Sequence, residues 1–370
     1  MSGSATEHGI ALRTGSAPVH GDARGRDRPA HQEADMTASS PTTAHPTGSG
    51  AAHRLGLGVL VDMPWTGKGV GGRGTGFVDT DDGGDIHPRL RAFFRRHGGD
   101  FAYAAHSFQP RSRALPRPVD YVRAYDRFGQ ALPAGLPRAF HHTELNMGTP
   151  ERYDRGPAAE FANQLHARYG FAWVVEDLGI WSLRGCPLPY PLPPPLTGAG
   201  LEIATRNAAQ AARLLVPPLH VEFPGFTEGG SFALGGLDAF EYFARLADDA
   251  DVWVTLDVGH LLSYQWLRGR TGPHMFDGLE ALPLHRCREL HLSGCQIVNG
   301  KFRDLHHGVL LDEQLDLTAH LLSRCPQLLG VTYEDPVFRA DGRLVEKSRR
   351  NYERLRALVA EWQGQDRGPL

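Results

Sequence analysis

The C-terminal half of this chain repeats one event: an apolar, strand-like run closes on a residue able to bind a metal ion. The runs are LHVE ending at Glu222, VWVTLDVGH at Asp257 and His260, RELHLSG at His291, FRDLH at Asp304 and His306, and LGVTYEDP at Glu334. FAYAAH ending at His106 and LPRAFHH ending at His141 extend the series toward the N-terminus. Parallel strands of a closed barrel all end at one rim, so residues far apart in sequence can converge there. One such residue alone would cap the next helix or sit satisfied in the core. Burying Glu222, Asp257, Asp304 and Glu334 together is different, because without cations it costs like-charge repulsion and desolvation. The pattern points to a polynuclear metal site.

From His53 onward strand-like and helix-like segments alternate. Strands are expected at 55–61, 101–105, 137–142, 172–178, 219–223, 252–257, 288–292 and 330–334. Helices are expected at 86–98, around 118–128, at 156–169, 199–214, 236–247, near 275–282, at 312–323 and 344–363. The helix at 156–169 has Pro157 near its start and Gly170 just past its end, the usual asymmetry of helix termini. Such alternation predicts a (β/α)8 TIM barrel over residues 53–365. A doubly wound open sheet would instead spread the acidic and imidazole ends along a line.

The chain has 370 residues, 41% of them hydrophobic, enough for one large barrel. Lys and Arg total 39 against 42 acidic residues, so no basic excess supports a nucleic-acid partner. Cys186, Cys287, Cys295 and Cys325 are far apart and form no CxxC pair, which suits a reducing compartment and a cytoplasmic location. No apolar run reaches the roughly 20 residues of a membrane span. Residues 1–52 lack the apolar core of a signal peptide. They read as a disordered tail, or as the product of a start codon placed too far upstream.

Two insertions break the rhythm. TGKGVGGRGTGFVDTDDGG at 66–84 lacks Ser or Thr after Lys68 and opens no helix with a G-x-G-x-x-G fingerprint, so it reads as a lid over the rim. RGCPLPYPLPPPL at 184–196 is expected to wrap the barrel mouth as a stiff, extended loop.

Spacing is compatible with ligation. Asp304 and His306 stand two apart and so share one side of an extended chain. LDVGH offers Asp257 from the strand and His260 from the loop beyond. Mixed carboxylate and imidazole donors suit iron, zinc or manganese rather than magnesium or calcium. Cys295, four residues after His291, is either an added thiolate or a buried small residue.

Taken in order, these motifs resemble the xylose isomerase-like barrels and, among them, the multinuclear non-heme iron-dependent oxidases that modify peptides. The resemblance covers roughly residues 55–340 and runs through HHTELNMG, CPLPYPLPPPLTGAGLEIATRNAAQAA, VEFPGF, LDVGH, ELHLSGC, DLHHGVLLD and TYEDP. Matched residue by residue, it implies metal-ligand roles for His141, Glu222, Asp257, His291, Asp304, His306 and Glu334, with His106 in AAHSF a looser match. The chain departs from the family at Met63 and Asp177, where the family has His, at His260, where it has Asn, and at Cys295, where it has His. The resemblance implies two or three iron ions, dioxygen as co-substrate and oxidation of a side chain, often Cys, of a ribosomally made peptide. It also implies a small partner protein that presents the peptide.

With His106 and His260 included, the nine candidates also look like the trinuclear zinc set of endonuclease IV. Candidate catalytic residues are Asp257, His260 and Glu334. Three functions stay open: a peptide oxidase in natural-product biosynthesis, a zinc phosphodiesterase or related sugar isomerase or epimerase, and a non-catalytic metal-binding barrel.

Overall fold

The computed structural model describes residues 54–62, 88–107, 125–126, 129–227 and 232–365. The tail expected at 1–52, the glycine-rich insertion at 66–84, Met63 and most of the helix expected around 118–128 lie outside the described residues.

Eight parallel strands close into a barrel. They are β1 (Gly56–Asp62), β2 (Tyr103–Ser107), β3 (Arg138–His141), β4 (Trp173–Asp177), β7 (Leu219–Glu222), β8 (Trp253–Asp257), β9 (Cys287–Leu292) and β12 (Gly330–Glu334). Around the barrel the order is β1, β12, β9, β8, β7, β4, β3, β2. These are the eight expected strands. Most are buried along their whole length, as strands must be when a barrel interior lies on one face and a helix layer on the other. The helix Gly156–Tyr169 has Pro157 in its first turn and stops at Gly170, whose φ of 66° is the left-handed conformation glycine adopts freely. In the helix Ala239–Ala250 the Asp238 side chain accepts from the Phe240 and Glu241 amides, and Phe240, Phe243 and Leu246 are buried.

Alternation along each strand decides which side chains enter the barrel. Leu60, Tyr103, Ala105, Ala139, Trp173 and Val175 form an inner cluster separate from the larger core beneath the helices. Tyr103 fits because Gly58 and Gly330 flank it: a Cβ at either would stand 2.3 or 2.6 Å from its ring. The Tyr103 hydroxyl lies 2.7 Å from Thr332 Oγ1, and Trp173 Nε1 donates to Glu289 Oε2 at 2.7 Å. Thr332 Oγ1 donates to Glu289 Oε1 at 2.6 Å, so this interior carboxylate is held by three side chains from three other strands.

Four expectations need correcting. The proline-rich insertion is not a loop but part of an antiparallel hairpin, β5 (Ile180–Leu183) and β6 (Cys186–Leu192), turning at Arg184 and Gly185. FRDLH is not a barrel strand: it is β11 (Lys301–His306), paired with β10 (Gly294–Val298) in a hairpin inserted after β9. His260 sits not in a loop but in the first turn of the helix Val258–Leu267, whose N-cap is Asp257. The helix expected near 275–282 is replaced by short 3-10 turns, Gly272–Phe276 and Leu279–Ala281, where Pro273 and Gly278 interrupt any longer helix.

Candidate metal centre

Inward positions alternate, so the last inward residue of each barrel strand stands at the rim. Beyond Ala139, Val175, His220, Thr255, Glu289 and Thr332 these are His141, Asp177, Glu222, Asp257, His291 and Glu334. Register brings them side by side: Asp177 pairs with Glu222, Asp257 with His291, and His291 with Thr332 one pair below Glu334. All six are buried.

Three groups have donor atoms mutually within 4.8 Å: His141, Glu222, His291 and Glu334; Asp177, Glu222 and His260; and Asp257, His260 and Asp304. In the first, His141 Nε2 is 3.0 Å from Glu222 Oε2, and His291 Nδ1 is 2.8 Å from Glu334 Oε1 and 3.3 Å from Glu222 Oε1. Asp177 Oδ2 lies 3.7 Å from His141 Nε2, so the second group adjoins the first through Glu222. In the third, His260 Nε2 is 3.7 Å from Asp304 Oδ2. His260 Nδ1 stands 2.7 Å from the Phe223 carbonyl and therefore carries the proton. That tautomer leaves Nε2 as the lone-pair nitrogen and assigns His260 to the third group rather than the second.

The other imidazoles are fixed in the same way. His141 Nδ1 is 3.2 Å from the His142 carbonyl, and His291 Nε2 is 3.3 Å from Glu289 Oε1, which leaves His141 Nε2 and His291 Nδ1 facing the first group. A carboxylate or carbonyl behind a ligating imidazole fixes its orientation and raises its basicity. Asp257 is divided between two tasks. Its Oδ1 accepts from the His260 amide at 2.7 Å as the helix cap, while Oδ2 is buried without a hydrogen-bond partner.

Together the groups hold five carboxylates (Asp177, Glu222, Asp257, Asp304, Glu334) and three imidazoles (His141, His260, His291). Their proton affinities reflect how closely these charges are packed. Burial opposes protonation of His141, yet its hydrogen bond to Glu222 and the nearby Asp177 raise it to about 9. Burial likewise would raise Glu222, but His291 and His141 hold it well below the usual carboxylate range. Burial pushes Asp257 well up; His260 opposes this, and the Asp304, Glu334 and Glu222 carboxylates add to it. The mixed oxygen and nitrogen donor set fits iron, zinc or manganese.

Two candidates stand outside these groups. His106 is one residue out of phase: Ala105 and Ser107 face inward, and His106 packs instead among the rings of Tyr125, Phe140 and Phe171 at 4.2, 5.2 and 5.6 Å. Its neighbours across the sheet, Val61 and Phe140, belong to the core beneath the helices. His306 reaches the rim but pairs with Asp335, Nδ1 to Oδ2 at 2.9 Å, with Glu334 Oε2 at 3.9 Å. Three residues were missed: Asp177 as a group member, Asp335 as the partner of His306, and Glu289 behind His291. Strand parity identifies Asp177 and Glu289, each two residues from another inward position. Asp335 carries no such signal, since its φ of 44° breaks the alternation.

Residues 123–338 match the model of one protein family, the RiPP precursor modification enzymes MbnB/TglH/ChrH. The chain belongs to this family. Membership bears out the resemblance read in the motifs and makes the protein an enzyme that modifies a peptide precursor. No curated protein matches the sequence. Among solved structures the chain is similar to mannonate dehydratase from Streptococcus suis serotype 2, at 13% identity over 85% of this chain and 95% of that one, TM-score 0.48. It is also similar to a xylose isomerase domain protein from Alicyclobacillus acidocaldarius subsp. acidocaldarius, at 16% identity over 85% and 100%, TM-score 0.45. For this RiPP modification enzyme the buried groups are the place where a metal could be held. No helix among the described residues is long and apolar enough to cross a membrane.

Proposed function

We propose that this enzyme is a multinuclear iron-dependent oxidase that uses dioxygen to alter a side chain, Cys foremost, of a ribosomally made peptide in natural-product biosynthesis. The observation that carries the reading is the meeting, in a family of peptide-modifying enzymes, of three adjoining oxygen and nitrogen donor groups inside one barrel mouth. Family membership favours a peptide over a phosphodiester or a sugar as substrate.

Bound iron would supply one-electron chemistry and a place for dioxygen. His141, Glu222, His291 and Glu334 would hold one ion, Asp177 and Glu222 a second, and Asp257, His260 and Asp304 a third. Glu222 belongs to two groups, so substrate and oxygen held at neighbouring ions would react as if in one molecule. Asp257, His260 and Glu334 stand nearest the chemistry in this reading. His306, at the rim and with its side chain 37% exposed, can carry a proton on Nδ1 between Asp335 and solvent. Hairpin β10–β11 brings Asp304 into the site and carries the exposed apolar residues Ile297, Val298 and Leu305. A small partner protein presenting that peptide completes the proposal.

The test is metal analysis of protein purified without oxygen, followed by oxygen uptake with a Cys-containing precursor peptide. Two or three irons per chain with peptide-dependent uptake support the reading. Tightly held zinc with no uptake in the iron-loaded protein would overturn the oxidase assignment and leave the peptide-modifying family intact.

A further inference from the structure

We propose that Ser293 is a positioning residue of the third group: its hydroxyl holds Asp304 Oδ1 and leaves Oδ2 as the single oxygen that Asp304 offers to a cation. The inference rests on the metal-centre reading above and concerns a residue outside its donor groups.

Asp304 is the one carboxylate of the three groups that no barrel strand carries. It sits on β11 between the exposed Arg303 and Leu305, so barrel closure does not by itself fix where its side chain lies. Ser293 supplies the anchor. It follows β9 directly, two residues beyond His291, and its Oγ donates to Asp304 Oδ1 at 2.6 Å. A serine hydroxyl has one proton, and here that proton is committed to the carboxylate.

Ser293 is itself held from both sides. The barrel strand fixes the backbone before it, and its carbonyl accepts from Gln314 Nε2 at 3.0 Å. Gln314 lies in the first turn of the helix Asp312–Leu322, where its Oε1 accepts from the Leu311 amide at 3.0 Å. Ser293 and Gln314 are both fully buried, so bulk water does not compete for these bonds.

The two oxygens of Asp304 therefore have different tasks. Oδ1 accepts from Ser293 and, at 3.3 Å, from the His306 amide, whereas Oδ2 faces His260 Nε2 at 3.7 Å. Asp257, in the same group, is divided in the same way: Oδ1 accepts from the His260 amide, and Oδ2 is buried without a hydrogen-bond partner. Each carboxylate thus has one oxygen tied to the protein. Without the Ser293 hydroxyl, Asp304 Oδ1 keeps only the longer bond to the His306 amide, and the carboxylate is released to rotate and take a cation through both oxygens. Partners that orient a ligating side chain typically change metal affinity about 10- to 100-fold when removed.

Zinc is the probe, added to the metal-free full-length protein. In difference infrared spectra the asymmetric and symmetric stretches of a carboxylate lie far apart when one oxygen binds a metal and close together when both do. Bands lost in Asp304→Asn belong to Asp304, and in zinc-loaded wild type they are expected to be widely separated. Ser293→Ala is expected to bring them together and, in a competition titration, to weaken one bound zinc about 10- to 100-fold while the others keep their affinity. A purely space-filling role for Ser293 would move neither readout. Narrowly separated Asp304 bands in zinc-loaded wild type overturn the single-oxygen mode, a result that does not depend on Ser293→Ala folding. Unchanged bands and affinity in Ser293→Ala overturn the positioning role and leave the metal centre standing. No zinc binding by wild type, or binding that leaves the Asp304 bands unmoved, overturns the third group and the role of Ser293 together.

Discussion

Glu222→Gln is the most informative substitution, because Glu222 is the one carboxylate shared by two groups. The amide preserves shape and removes the charge that His141 and His291 face at 3.0 and 3.3 Å. A cation present at a thousandfold excess over its dissociation constant stabilises the folded state by about 4 kcal/mol per site. For a barrel of roughly 300 residues the unfolding entropy is about 0.6 kcal/mol per kelvin, so each filled site raises the midpoint by about 6 °C. Glu222→Gln should therefore forfeit about 12 °C of metal-induced stabilisation through two sites, while Asp304→Asn should forfeit about 6 °C through one. The assay is the difference between unfolding midpoints with and without metal, measured for each variant, with metal content determined in parallel. Taking that difference cancels whatever the substitution does to the metal-free protein. Equal losses in the two variants, or a full metal complement in Glu222→Gln, would refute the shared-ligand geometry.

Other expectations follow from the same contacts. His141, raised to about 9 in the metal-free chain from an ordinary value near 6.5, stabilises the fold below pH 6.5. That contribution disappears as pH rises through about 9, so the metal-free midpoint should fall across this window while metal affinity rises, and Glu222→Gln should flatten both curves in pH-dependent melts. His106→Phe should leave metal content unchanged and cost under about 1.5 kcal/mol in denaturant titration, since the residue packs among rings and not in the site. A drop in metal content would return His106 to the ligand set. Glu289→Gln removes the carboxylate behind His291 and should weaken metal binding about 10- to 100-fold in a competition titration, an effect absent if Glu289 only braces the barrel floor.

The eight barrel strands were legible because each is a short apolar run that ends at a polar residue, and closure into a ring follows from their alternation with helices. The rim positions of Glu222, Asp257, His291 and Glu334 were legible for the same reason. His106 was not, because a strand end identifies a rim position but not its face; Ala105 and Ser107 hold the inward parity and place the imidazole outside. His260 was visible as a residue three beyond Asp257, yet its helix was hidden by Gly259 and by the lack of an amphipathic stripe in VGHLLSYQWL, eight of whose ten residues are buried. Asp304 reaches the site from a hairpin rather than a barrel strand, a placement that no periodicity in FRDLH reveals. Asp177 was seen only as a departure from the family pattern, and its place beside Glu222 depends on a strand register that sequence does not specify.

In the proposed metal centre, barrel closure gathers these acids and imidazoles into one pocket whose charge bound cations would neutralise. Anomalous diffraction at the metal edges, from crystals of protein purified without oxygen, tests it most directly. Peaks are expected between His141, Glu222, His291 and Glu334 and between Asp257, His260 and Asp304, with further density beside Asp177. Metal-replete crystals with no peak among these residues, or with peaks only at surface histidines, would contradict it.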